Sequence, residues 1–314
     1  MSIVRSILGD LKSDTLGVTN SHDHLFFRSE KLPGQELLDS QLAEAEVRAF
    51  QAAGGQSIVQ WTPAGLGRHR AELAAISRRT GVHLLSATGR HRREHYSIAE
   101  PPLSLEALTR RFIDDIHAEE LPSGLIKIGV GFHHLDTFER TSLAAAAAAH
   151  AATGAPVVIH LELGSSGALV LDELLAAGVS PISIVLGHLG RNPDPYYLQD
   201  LARSGVWLGF EGPSRANHAT DWRLLAIIEA LAAEHHSQLL LGGDTTTAEA
   251  RSVNSGPGMP ALLTTTGQRI RRLLGETLWQ AIFVDNPARA FSLRGPSADS
   301  KSNSTPGGRQ FRPR

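Results

Sequence analysis

The chain has no cysteine. Disulfides and thiolate metal sites are therefore excluded, and a reducing cytoplasm is the expected location. Charge of either sign is not in excess: 30 Lys and Arg against 32 Asp and Glu leave a net charge of -2 over 314 residues. With no basic surplus to neutralise phosphates, nucleic acid is not an expected partner. No apolar run approaches the length of a membrane span, so no membrane partner is expected either. The N-terminal "MSIVRSILGDLKSD" has neither the long apolar stretch nor the small-residue cleavage site of a signal peptide. The Gly-rich first turn of a doubly wound dinucleotide-binding sheet is also missing.

What is present is an ordinary globular composition, 41% hydrophobic and 20% charged, with 15 histidines. Histidine is the commonest metal ligand and proton carrier at neutral pH, so its placement matters. Short apolar runs alternate with helical patterns almost to the end. The expected strands cover 17–26, 57–63, 83–90, 125–132, 156–162, 183–190, 206–212 and 238–244. Between them lie segments with apolar spacing of three and four residues and Gly stops, such as "DSQLAEAEVRAFQAAGG" and "TSLAAAAAAHAATG". Eight strand–helix units with near-continuous apolar strands predict parallel strands covered on both faces. The expected fold is a (β/α)8 TIM-like barrel in one domain over 1–295. The last residues, 296–314, are polar and rich in Ser, Pro and Gly, and read as a disordered tail.

In such a barrel the chemistry lies at the C-terminal strand ends. The first strand ends in "SHDHLFF" with His22 and His24. The fourth carries Lys127, the fifth His160, the sixth His188 and the eighth Asp244. One polar residue in an apolar strand is ordinarily a hydrogen-bonded core or wall residue. Six converging on one rim would each carry a desolvation cost, which a shared ligand removes. Residues one apart in an ideal strand face opposite ways, so His22 and His24 require a twisted or bulged strand end to share a ligand. Imidazole and carboxylate donors suit Zn²⁺ first, with Mn²⁺ or Co²⁺ as alternatives. Six ligands exceed one tetrahedral site and fit two ions. A protonated Lys127 could not ligate; as the carbamate formed with CO₂ it could bridge them.

These residues carry a resemblance to a known family. The HxH of "SHDHLF", the Lys of "GLIKIG", "VVIHLELG", "IVLGHLG", the Asp of "GGDTTT", the loop "SGPGMPALLTTT" and the closing "DNPARAF" resemble the phosphotriesterase family of the amidohydrolase superfamily, over about residues 8 to 293. The resemblance implies a distorted barrel of the amidohydrolase type, two metal ions, a carboxylated Lys127 and a bridging hydroxide. By match, His22, His24 and Asp244 would hold the more buried ion. His160 and His188 would hold the other, Lys127 would bridge, and Asp244 would serve as the catalytic base. Asp23 stands where many members carry Glu.

Candidate substrate contacts come from the loops. The stretch "TGRHRREHYS" crowds Arg90, His91, Arg92, Arg93 and His95 after strand three, and guanidinium forks recognise phosphate or carboxylate. Arg215, Asn217 and His218 follow strand seven, and Thr245, Thr246 and Arg251 follow strand eight. Trp61, at the end of strand two, is first of all a core candidate. The expected substrate contacts are Arg90, His91, Arg92, Arg215, His218 and Arg251. The partner they predict is a small anionic molecule, a lactone or carboxylic ester bearing phosphate or carboxylate. Phosphotriester or N-acyl amino acid hydrolysis is the alternative, and a non-catalytic metal-containing binder is a third reading. Self-association into a homodimer is left open.

Overall fold

The computed structural model describes residues 2–97, 99, 103–212 and 221–295. Two short antiparallel strands, β1 (Ile3–Ser6) and β2 (Gly9–Lys12), come first. Eight parallel strands follow in chain order: β3 (Thr19–Asp23), β4 (Ser57–Gln60), β5 (His83–Arg90), β6 (Leu125–Val130), β7 (Val157–Leu161), β8 (Ile184–Gly187), β9 (Trp207–Glu211) and β10 (Leu239–Gly242). A final short strand, β11 (Ser292–Leu293), pairs with β1. The expected barrel strands are all present. The β1–β2–β11 sheet was not anticipated, because its strands are too short to show a period.

The eight parallel strands roll into a nearly closed barrel. β3 and β10 meet where the N–H groups of Gly243 and Asp244 donate to the His22 carbonyl at 2.9 and 3.0 Å. Helices α1 (Ser40–Ala52), α2 (Arg70–Thr80), α3 (Leu105–His117), α4 (Thr137–Thr153), α5 (Gly167–Ala176), α6 (Pro195–Arg203) and α7 (Leu224–His235) fill the connections. The Ala-rich run predicted the body of α4 but not its first turn. That turn is set by a capping box in which Asp136 and Glu139 each bond the other's backbone N–H.

Strand alternation divides the core in two. Ile58, Leu84, Ile126, Ile128, Val157, Ile159 and Leu186 belong to the large cluster shared with helix residues such as Phe50 and Phe112. Val59, Trp61, Leu85, Ala87, Leu125, Val158, Val185, Trp207 and Leu240 form the barrel's own interior, with Val4, Leu16 and Phe291 in the same cluster. Two residues on from Leu125 and Val158, the same parity brings Lys127 and His160 to the inner face. The strand period itself thus delivers these polar groups to the rim. Among the described residues, no helix is long and apolar enough to cross a membrane. The expected tail, 296–314, lies outside the described residues.

Candidate functional site

The register of β3 against β4 shifts between Asn20 and Asp23. This irregularity lets His22 and His24 serve one site. Their Nε2 atoms each lie 3.6 Å from Asp244 Oδ1. Ligand atoms of His22, His24 and Asp244 all fall within 4.8 Å of one another, and all three residues are buried. Tetrahedral bonds of about 2.0–2.1 Å put neighbouring donors roughly 3.3 Å apart. The cluster is therefore close to ion-binding spacing as it stands. His188 follows β8 and Asp244 follows β10, both in the left-handed backbone region at φ +63° and +51°. Non-glycine residues persist there only when the surroundings hold them, a condition common at functional sites.

Hydrogen bonds assign the imidazole tautomers. Thr62 Oγ1 donates to the Phe26 carbonyl at 2.6 Å, so it accepts from His24 Nδ1–H at 2.8 Å. That leaves the His24 Nε2 lone pair facing Asp244. His160 Nε2 lies 3.0 Å from Glu162 Oε2, which in turn accepts from Arg92 at 2.9 Å. The ring of His160 is 4.2 Å from that of His188, centroid to centroid. His188 Nδ1 is buried, 3.3 Å from Glu211 Oε1 and 3.8 Å from Asp244 Oδ2. A ligating imidazole typically turns its other ring nitrogen to a carboxylate, as this one does. The chemistry of these donors fits divalent metal.

Electrostatics agree. Burial lowers the pKa of His22 against the pull of Glu211. It holds His24 and His160 well below the ordinary imidazole value, helped by neighbouring cations. His188 is lowered by burial and by Arg191. Neutral imidazole is the ligating form. Lys127 is buried, and desolvation holds its amine well below the ordinary lysine value despite the attraction of Asp244. Burial raises Asp244, opposed by His22 and Arg191.

A cavity of about 650 Å³ opens over these groups; His24, Lys127, His160, His188 and Asp244 are all on its wall. Of the expected substrate contacts, His91 and Arg92 line it too. His91 stacks on His95 at 4.0 Å and stands 4.5 Å from His160. Arg92 is paired with Glu94 and Glu162 at 3.0 and 2.9 Å.

Two expected contacts do not reach the cavity. β5 runs on to Arg90, so alternation turns that side chain outward, away from Ala87 on the inner face. There it donates to Ser142 Oγ and the Phe138 carbonyl, with its guanidinium 3.6 Å over the Phe138 ring. Arg251 is fully buried and donates to the carbonyls of His24 and Leu25, tying the loop after β10 to the end of β3. Arg215, Asn217 and His218 lie outside the described residues.

Three further neighbours complete the site, and of these Arg191 was not anticipated. Arg191 donates to Asp244 Oδ2 at 2.6 Å and lines the cavity. Trp61 stacks on His22 at 3.9 Å, and its indole N–H is held by the Ser21 carbonyl. Asp23 turns inward: it accepts from the backbone N–H groups of His24 and Thr245 and from Asn20. Burial pushes Asp23 up to about 6, partly offset by those bonds.

A parallel barrel with neutral imidazoles and a carboxylate gathered at its C-terminal rim defines a class, the metal-dependent barrel hydrolases. The chain belongs to the Phosphotriesterase family, whose model matches residues 2–291. It is 28% identical over 242 residues to a phospho-furanose lactonase of Mycoplasmopsis agalactiae, covering 69% of each chain. An N-acetyltaurine hydrolase of Salmo salar is 24% identical over 93% of this chain and 98% of its own. A lactonase from Listeria monocytogenes superposes with a TM-score of 0.87 at 25% identity, over 93% of this chain and all of the other.

Proposed function

We propose that the chain is a binuclear-metal-dependent hydrolase of lactones or carboxylic esters that carry an anionic group. The observation that carries this reading is the set of donors at one rim: His24, Lys127, His160, His188 and Asp244 on one cavity wall, with the buried His22 clustered against His24 and Asp244. His22, His24 and Asp244 would hold the more buried ion, and His160 and His188 the outer one. The buried Lys127 amine, held neutral, adds to CO₂ with loss of a proton; the new N–C bond gives a carbamate anion able to bridge. When bound, such ions supply an acidified water and a Lewis acid for the substrate's oxygen.

The protein's own groups do the rest. Asp244 accepts the proton lost by the attacking water and passes it to the leaving oxygen. Arg191, donating to Oδ2 at 2.6 Å, holds that carboxylate with Oδ1 toward His22 and His24. Trp61 against His22 and Phe27 against His24 are the apolar neighbours that limit water at the inner end.

The anionic group is read from the outer wall. Lys31 and Arg92 both line the cavity and both pair with the same oxygen of Glu94. An incoming phosphate or carboxylate would take the place of Glu94 between these two cations. The name of the Mycoplasmopsis agalactiae relative, a phospho-furanose lactonase, supports the same substrate class.

The test is a matched pair of sugar lactones, with and without phosphate, assayed beside a phosphotriester and an N-acyl amino acid. The phosphorylated lactone should give the highest kcat/KM. Lys31→Ala is the cleaner variant, because Arg92 also holds the Glu162 that bonds His160. A charge-assisted contact is worth roughly 1.5–3 kcal/mol, so its loss should cost about 10- to 100-fold in kcat/KM. That loss should appear on the phosphorylated lactone only. Equal loss on both lactones, or preference for the amide, would overturn the substrate reading.

A further inference from the structure

Glu211 ends β9, and its side chain is almost fully enclosed. Its Oε1 lies 3.2 Å from His22 Nδ1 and 3.3 Å from His188 Nδ1. The same oxygen accepts the backbone N–H of His188 at 2.8 Å. One carboxylate oxygen therefore touches two imidazoles that the reading above assigns to different ions. No expected ligand or substrate contact includes it.

We propose that Glu211 is the positioning residue of the site, fixing the tautomer of His22 and the orientation of both imidazoles. This rests on the metal reading given above. A carboxylate can only accept, so the proton of His22 resides on Nδ1, facing Glu211. Its Nε2 lone pair is then aimed at the cluster with His24 and Asp244. His188 is held differently. Its backbone is in the left-handed region, and the bond from its N–H to Glu211 is the anchor that keeps it there. Its Nδ1 also faces Glu211 Oε1, at 3.3 Å, so the imidazole proton belongs on that side and Nε2 is left for an ion.

Two alternatives are physically distinct. Ligand atoms of His22, His188 and Glu211 also fall within 4.8 Å of one another, so Glu211 could itself be a ligand. Against this, His22 would have to give that ion its Nδ1 lone pair, which puts its proton on Nε2, the nitrogen that faces His24 and Asp244. Or Glu211 could be a buried charge partner with no influence on the metal.

The experiment compares the full-length wild type, Glu211→Gln and Glu211→Asp. Each is stripped of metal and titrated with Zn²⁺ against a chromophoric chelator, and kcat and KM are measured on the loaded forms. Loss of an outer carboxylate partner typically weakens metal binding about 10- to 100-fold. Glu211→Gln should still bind as many ions as the wild type at saturation, but with affinity weakened by that factor. Its kcat should fall while KM stays near the wild-type value. Glu211→Asp, which keeps the charge, should recover part of the affinity. Affinity and kcat unchanged in Glu211→Gln would overturn the proposal. So would loss of one whole ion at saturating metal, which would make Glu211 a ligand.

A measurement on the wild type needs no variant to fold. In the metal-loaded protein, ¹⁵N spectra of the imidazoles should show the His22 proton on Nδ1, and a proton on Nε2 would refute the assignment. Failure of the wild type to bind metal at all would refute the metal reading itself, a different result from either of these.

Discussion

Asp244 is held by three kinds of neighbour at once: imidazoles at 3.6 Å, the Arg191 guanidinium at 2.6 Å, and a backbone at φ +51°. A base so fixed contributes through one proton position. Asp244→Asn should keep the fold and lower kcat about 10²- to 10⁴-fold; an unchanged kcat in steady-state assays would remove Asp244 from the mechanism. Glu94 offers a gain instead of a loss. It is half exposed and occupies both Lys31 and Arg92. Glu94→Gln should lower KM for an anionic lactone and leave that for its neutral analogue unchanged.

Residues of this kind differ in how visible they are in the sequence. His22, His24, Lys127, His160, His188 and Asp244 stand out because each interrupts an apolar strand end. Glu211 carries the same signal, a carboxylate closing "VWLGFE", and the same rule applied to strand seven would have found it. Arg191 gives no such signal: it lies in a turn three residues beyond His188. Arg90 was misplaced because it was counted with the loop, although it closes the strand expected and observed over 83–90, where alternation turns its side chain to the helix layer.

At the scale of elements, alternation and helical spacing were enough to predict all eight barrel strands and seven helices. Local chemistry set the details they missed. The β3 irregularity that brings His22 and His24 together is not a periodic feature, although the HxH itself demands it. Barrel closure depends on the absence of a side chain at Gly242. A Cβ there would lie 2.5 Å from His22 Cβ and 2.6 Å from the His22 backbone N and O. Gly242→Ala should therefore push β10 away from β3. Overpacking typically costs about 1–3 kcal/mol, which should appear as a lower melting temperature together with weakened metal uptake. Normal stability and normal uptake would show that the strands can separate without disturbing the site.

For the whole molecule, the site is also a source of pH dependence. Six buried imidazoles, those of His22, His24, His91, His95, His160 and His188, are held below the ordinary value of 6.5, His95 down to about 3. As pH falls through 6.5 the unfolded chain binds protons that the folded chain refuses, so stability falls. Asp23, raised to about 6, acts in the opposite sense at lower pH, because its folded form takes up a proton before its unfolded form does. The metal-free protein should thus begin to lose stability as pH falls through about 6.5 and lose it faster below 6, as denaturant titrations at several pH values would show. A flat profile there would mean that the imidazoles are not buried as described. The central claim is that the neutral imidazoles of His22, His24, His160 and His188, with Asp244 and Lys127, exist to hold two ions. Elemental analysis of protein expressed with added zinc or manganese tests it directly. The account predicts about two ions per chain in the wild type, with metal and activity lost together in Lys127→Ala. A content near zero, with hydrolysis undiminished after chelation, would contradict it.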